Sequence, residues 1–276
     1  MKKTIGLLSF IFLLAGIVSC KNENKTAKET QTKEVVEKTK HEHSKKDCKD
    51  VHWGYGNDEH GPENWKNLCD DYAACGGKSQ SPIDISTDII EVDNNLKLPE
   101  MDFKTTKVNI VNNGHTVQFN VDKGNKVNLN GKDYQLLQFH FHGLSEHTLN
   151  GKHFPLEVHF VTKHADNDYA VLGVFFKEGD ENSLFAKYLD KFPAEKGNFS
   201  SDDSIDLLSL FPKDKSYYHY SGSLTTPPCS EIVSWYVLKE PVTASKEQIQ
   251  KFSQILHDNY RPVQPLNDRK IYTNSK

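Results

Sequence analysis

The chain is 276 residues long, 36% hydrophobic and 26% charged, a balance that excludes collagen-like, multi-span membrane and wholly disordered proteins. A formal charge of −4 excludes nucleic acid as the expected partner, because phosphates demand a basic surface. Five Cys beside 13 His direct attention to metal chemistry ahead of thiol redox chemistry.

The N-terminus opens with an export signal. Lys2 and Lys3 give a cationic start, an apolar run over 5–18 is too short to span a bilayer, and small residues follow at Ala15, Gly16 and Ser19. The Ile-Val-Ser-Cys run at 17–20 resembles a bacterial lipobox, which predicts a lipid on Cys20 as the mature N-terminus. Several acyl chains would hold the protein on a membrane surface, where one alone is marginal. Lys21 lacks the acidic character of an inner-membrane retention signal, so the outer membrane is the favoured face. The predicted domains are a lipoprotein signal over 1–19, a lipidated Cys20 with a disordered charged tether over 20–50, and a folded body over 51–276. Residues 21–50 hold nine Lys, seven acidic residues and no aromatic, too little apolar surface to fold. His41 and His43 read as part of that solvated tail. The tail and the signal each carry +2, so the body carries −8.

Strand signals dominate the body. Residues 107–112 alternate, Asn113-Gly114 supplies a tight turn, and 115–121 alternate again; a second hairpin turns at Asn130-Gly131. Runs at 134–142, 156–162, 169–176 and 231–238 repeat with period two. Helices are expected at 181–191 and 245–258, the latter with Ser245 and Gln248 as a capping box. The fold class is therefore mainly β (α+β): one domain with a large, mainly antiparallel sheet and peripheral short helices.

The chemistry begins at Gln138-Phe-His-Phe-His142. Side chains alternate across a strand, so His140 and His142 share one face while Phe139 and Phe141 point into the other. Leu156-Glu-Val-His-Phe160 alternates in the same way, and His159 on a neighbouring strand offers a third nitrogen. Three neutral imidazoles with an open fourth position are the donor set of a catalytic Zn2+. Gln138 and Glu157 each lie two residues before a ligand on its face, where an acceptor for the other ring N–H belongs.

Together with Ser145-Glu-His-Thr148, Leu224-Thr-Thr-Pro-Pro228 and Lys78-Ser-Gln-Ser-Pro-Ile83, these motifs resemble an α-class carbonic anhydrase over about His52 to Tyr272, 80% of the chain. The resemblance implies a ten-stranded twisted sheet and reversible hydration of carbon dioxide to bicarbonate and a proton, with a hydroxide on the zinc as nucleophile. By motif position, Thr225 receives that hydroxide's hydrogen and donates to a buried Glu146, and the Thr225 backbone N–H and Thr226 face the substrate. Val161, Val171, Leu224, Val233 and Trp235 match the apolar wall, with Tyr169 replacing a Leu of the animal members. His115 matches the proton shuttle, a role suited to an imidazole titrating near neutrality. Tyr55, Asn113 and Gln118 match the residues that order its water chain. The Asn259 carbonyl matches the acceptor that orients His142, and His147 is read as a brace without a metal role.

Exported members of the family join Cys75 to Cys229, which leaves Cys48 with Cys69; from the residues alone, four Cys admit three pairings and all three stay open. Sulfonamide and anion inhibitors, a membrane reached through the lipid, and an open oligomeric state complete the expectation. The competing readings are a non-catalytic surface binding protein on the same fold and a zinc esterase side activity.

Overall fold

The computed structural model describes residues 47–274. The export segment, Cys20, His41 and His43 lie outside the described residues. The folded body starts before residue 51: Asp47 caps a 3-10 turn over Cys48–Asp50, and Cys48 is disulfide-bonded to Cys69. Cys48 to Asp50 therefore belong with the body and not with the tether.

The strands are β1 (Asp84–Ile85), β2 (Glu91–Val92), β3 (Glu100–Asp102), β4 (Thr106–Asn112), β5 (Val117–Asn120), β6 (Lys126–Leu129), β7 (Lys132–His142), β8 (Thr148–Leu149), β9 (Lys152–His153), β10 (Leu156–Ala165), β11 (Asp168–Glu178), β12 (Gly197–Ile205), β13 (Tyr217–Gly222), β14 (Val233–Leu238), β15 (Val242–Ala244) and β16 (Tyr272–Thr273). The helices are α1 (Trp65–Leu68), α2 (Ser183–Tyr188) and α3 (Lys246–Leu256). Among the described residues, thirteen strands form one sheet, and ten of them run along its path in the order β12-β4-β5-β7-β10-β11-β14-β13-β16-β2. The expected ten-stranded sheet is that path, and β3, β6 and β15 attach beside it. Most pairings are antiparallel; β11 with β14, β11 with β15 and β16 with β2 are parallel. A small sheet of β1, β8 and β9 stands apart.

The Asn130-Gly131 hairpin forms as its residues dictate. Both adopt positive φ, 53° and 88°, which makes a two-residue turn that closes Leu129 against Lys132. The Asn113-Gly114 hairpin is looser than predicted. Its last strand pair is Asn112 with Val117, and the Asn113 carboxamide oxygen accepts from the N–H groups of His115 and Thr116. His115 accordingly sits in a loop and not on a strand.

Alternation splits the core into two layers. Phe119, Phe139, Phe141, Phe160 and Phe176 pack on one face with Phe185 of α2 and Phe252 and Leu256 of α3. Phe119 and Phe139 stack at 4.7 Å, and Phe141 meets Phe252 at 4.9 Å. Each such ring buried contributes about 1.5–3 kcal/mol. The opposite face carries a smaller cluster that includes Val171, Phe175, Tyr220, Val233 and Trp235. Strand β7 holds its aromatic face in phase by means of a bulge: Gln138 pairs with Val161 but Leu136 pairs with Thr162, so Leu137 is an extra residue. Tyr134 and Leu136 thereby join Phe139 and Phe141 in the same layer despite the change of parity.

Helix α3 starts at Ser245 with both halves of the capping box and ends at His257 with φ of 50°. The other predicted helix is shorter than 181–191: Asn182 caps α2, and a 3-10 turn over Leu189–Lys191 finishes it. Strands β12 and β13 carry no period-two signal. The first is a polar sheet edge, and the second has Tyr217, Tyr218 and Tyr220 buried on both of its faces.

Candidate metal centre and active site

Cross-strand register sets the site. Residues in register on neighbouring strands share a face, so Gln118, His140, His159, Gly173 and Val237 form one row across β5, β7, β10, β11 and β14. The adjoining row reads Gln138, Val161, Val171 and Trp235, and His142 sits beside Glu157. His140, His142 and His159 bring ligand atoms within 4.8 Å of one another.

Two of the rings have one nitrogen hydrogen-bonded, and the third has one facing a carboxylate without a hydrogen bond among the described residues. His140 Nδ1 lies 2.9 Å from Gln138 Oε1, His142 Nδ1 lies 2.7 Å from the Asn259 carbonyl, and His159 Nε2 lies 3.0 Å from Glu157 Oε1. That leaves His140 Nε2, His142 Nε2 and His159 Nδ1 for a metal. His142 Nε2 is buried with no hydrogen-bond partner among the described residues, a cost that a metal ion at this point would remove. Desolvation and the neighbouring imidazoles push His140 well below the ordinary imidazole range, and burial lowers His142 as well. Both are thus held neutral, as ligands must be. Burial acts in the same direction on His159, but the Glu157 carboxylate outweighs it and raises the ring's pKa. The residues present fit Zn2+.

Glu157 organises the layer behind the ligands. Its Oε2 accepts from the backbone N–H groups of Glu146 and His147, each at 2.9 Å, and its Oε1 faces His147 Nδ1 at 2.8 Å. Burial would raise its pKa, but His147 and His159 hold it well below the carboxylate range. His147 Nε2 lies 2.7 Å from the Tyr220 hydroxyl, which donates to Ser81 Oγ, and Ser81 Oγ accepts from Ser223 N. A buried chain of polar contacts therefore runs from His159 to the loop that carries Leu224, Thr225 and Thr226.

Glu146 and Thr225 are both buried, but the expected hydrogen bond from Thr225 to Glu146 is not formed among the described residues. Glu146 Oε1 accepts from Arg261 N at 2.8 Å, while its Oε2 has no hydrogen-bond partner among the described residues and lies 3.5 Å from His142 Nε2 and 3.7 Å from His159 Nδ1. Val171, Val233 and Trp235 are core members of the smaller cluster, and Val161, Tyr169 and Leu224 pack against it. The residues expected to form the apolar wall thus lie together beside the ligand row.

His115 stands apart from the triad. Its ring stacks on Trp53 with centroids 3.8 Å apart and planes 8° apart, and His52 lies next to it at 6.4 Å. Partial burial, Lys196 and His52 lower its pKa. A cavity of about 1000 Å3 opens beside it, lined by Trp53, Tyr55, Lys196, Asn259 and Tyr260 but by none of the three ligands. Tyr55 contacts Trp53 and Trp65, and burial with the Glu146 charge keeps its hydroxyl protonated. The Asn113 carboxamide oxygen is committed to its own loop, and Gln118 Nε2 donates to Asn120. The disulfides join Cys75 to Cys229 and Cys48 to Cys69.

A family model described as eukaryotic-type carbonic anhydrase matches residues 60–275. The chain belongs to this family. A carbonic anhydrase of Pectobacterium carotovorum is 44% identical over 225 residues, 80% of this chain and 90% of that one. One of Nostoc is 41% identical over 229 residues, covering 81% and 86%. Among solved structures, the α-carbonic anhydrase of Thermovibrio ammonificans with the inhibitor sulfanilamide matches at TM-score 0.77 and 46% identity, covering 80% of this chain and 99% of that one. Dioscorin complexed with ascorbate matches at 0.75 and 30% identity, covering 80% and 97%. A carbonic anhydrase domain thus accounts for the strand-rich body and for the order of its motifs.

Three residues escaped the sequence reading of this carbonic anhydrase site. The Arg261 guanidinium is buried over Trp65 and donates to Cys75 O, Gln80 Oε1 and Ser81 O, a set of partners 180 or more positions earlier in the chain. Tyr220 links His147 to Ser81. Gly173 had a legible signal, since a lone Gly inside a strand marks a close approach. A Cβ there would meet Glu157 Oε1 at 2.9 Å, and that oxygen is held on its far side by His147. Gly173→Ala is expected to weaken metal binding about tenfold, measured by chelator competition. Parent-like affinity in that variant would show that Glu157 is not confined from this side.

Proposed function

We propose that the chain catalyses the reversible hydration of carbon dioxide to bicarbonate and a proton, with Zn2+ held by His140, His142 and His159. The observation that carries this reading is the convergence of three imidazoles, two with their outer nitrogens hydrogen-bonded to Gln138 and Asn259 and the third with its outer nitrogen 3.0 Å from Glu157. When bound, the zinc supplies Lewis acidity that makes water nucleophilic near neutral pH; carbonic anhydrase is itself the standard example of that effect.

The remaining work falls to the chain. Val161, Val171, Leu224 and Trp235 offer an apolar wall to a small apolar substrate, and Thr225 and Glu146, each buried, direct the hydrogen of the reacting water. His115 takes the released proton, with Tyr55, Asn113 and Gln118 along the water path. The cavity beside its ring admits buffer molecules, to which the proton passes. Purified full-length protein is expected to show carbon dioxide hydration that a sulfonamide blocks, a chelator removes and added zinc restores. Zinc-loaded protein without hydration would overturn the reading in favour of a binding protein on the same fold.

The proposed location follows from the N-terminus. Cys20 at the end of the apolar run supports export and lipid anchoring, with the outer membrane favoured by Lys21. Labelled palmitate is expected to enter the protein and to be lost in Cys20→Ser; labelling that survives the substitution defeats the anchor.

A further inference from the structure

The Asn259 backbone carbonyl serves His142, but the side chain makes three further bonds that metal binding does not require. Its Oδ1 accepts from Gly143 N at 3.0 Å, and its Nδ2 donates to Phe141 O at 2.9 Å and to His115 O at 3.0 Å. The residue is 3% exposed, and these contacts use both amide hydrogens and the amide oxygen. One side chain therefore ties the end of the ligand-bearing strand β7 to the loop that carries His115.

That loop has few other ties to β7. Asn113 closes it internally, and Thr116 Oγ1 donates to the same Phe141 carbonyl at 2.6 Å and accepts from Phe141 N at 3.3 Å. Beyond Thr116 the chain enters β5, and at His115 itself the N–H is closed on Asn113 while the carbonyl is held by Asn259. The stack on Trp53 sets the ring's plane, but Trp53 belongs to the N-terminal segment and gives no link to β7.

We propose that the Asn259 side chain is a positioning residue for His115, fixing the proton acceptor at a set separation from the metal ligands. The inference rests on the shuttle reading above. Proton transfer through ordered water depends steeply on that separation, so a loosened loop slows proton export while leaving the hydration step intact.

The test compares His115→Ala, Asn259→Ala and Asn259→Ser in the full-length, zinc-loaded protein. All retain the backbone carbonyl that meets His142. Asn259→Ser keeps a small hydroxyl and sets no charge against the Phe141 and His115 carbonyls, which supports the fold should Asn259→Ala lose it. In the zinc-loaded Asn259 variants, turnover in dilute buffer is expected to fall about fivefold or more relative to turnover in concentrated buffer, with recovery on adding imidazole. A merely structural role would lower zinc content and kcat/KM together and would not respond to imidazole. As a readout independent of activity, the His115 ring protons, shifted upfield by Trp53, should move toward ordinary positions in NMR spectra of the Asn259 variants. Loss in His115→Ala beside parent-like turnover and shifts in both Asn259 variants overturns the role of Asn259 alone. Unchanged turnover in His115→Ala overturns the shuttle reading and this inference with it.

Discussion

Glu157→Gln is expected to lower zinc affinity about 10- to 100-fold and the stability of the metal-free protein by about 3–5 kcal/mol. The carboxylate is fully buried and receives two backbone N–H groups on Oε2, while its Oε1 lies 2.8 Å from His147 Nδ1 and 3.0 Å from His159 Nε2. An amide keeps the volume but offers one acceptor in place of two, and its NH2 then faces donors. Either the Glu146 and His147 N–H groups or the rings of His147 and His159 lose their partner. The first outcome loosens the turn that places Glu146; the second frees the His159 ring to rotate its Nδ1 away from the metal. Chelator competition and denaturant unfolding measure the two effects separately. Parent-like affinity would show that His159 is oriented by the strand alone.

Removing the Cys75–Cys229 bond is expected to be the most destabilising disulfide change. The two residues are 154 apart in sequence, against 21 for Cys48 and Cys69. Loop-closure entropy then predicts losses of about 5 and about 3 kcal/mol, as upper values. The longer bond also acts on the site. Cys229 N donates to Thr226 O, and Gln80 Nε2, held at its oxygen by Arg261, donates to Cys229 O. Replacing both residues of the longer pair with Ala is expected to lower the midpoint of unfolding and the hydration rate together. The Cys48 and Cys69 pair should change stability with little effect on rate. Equal effects of the two pairs on rate would show that the Thr225 loop holds its shape without the bond.

The metal clamp was legible because its signal is local. Two His at period two, a third in an equivalent run, and an acceptor two residues before His140 and His159 are all patterns within ten residues, and strand geometry converts them into one face. The Asn259 carbonyl and the longer disulfide were reachable only through family resemblance, since nothing near those residues marks their partners. Arg261 and Tyr220 were not legible at all. Their roles consist of contacts with the segment 75–81, brought close by the sheet and by the long disulfide. The fold shows the same division: the Asn130-Gly131 turn follows from its two residues, whereas the His115 loop depends on an Asn113 side chain bonding to backbone, and β12 is a strand only because β4 offers it an edge.

The extra residue at Leu137 means that β7 is written in two reading frames. From Lys132 to Leu136 the even positions face the aromatic layer, and from Gln138 to His142 the odd ones do. The two halves therefore keep their faces through the bulge itself: straightened into plain alternation with Leu137 retained, the strand would turn either the aromatic anchors or the ligands to the wrong side. Length changes in this strand are constrained by parity, while exchanges of one ligand for another side chain leave that parity intact. A scaffold with this property can change what its cleft does while the opposite face keeps the sheet together.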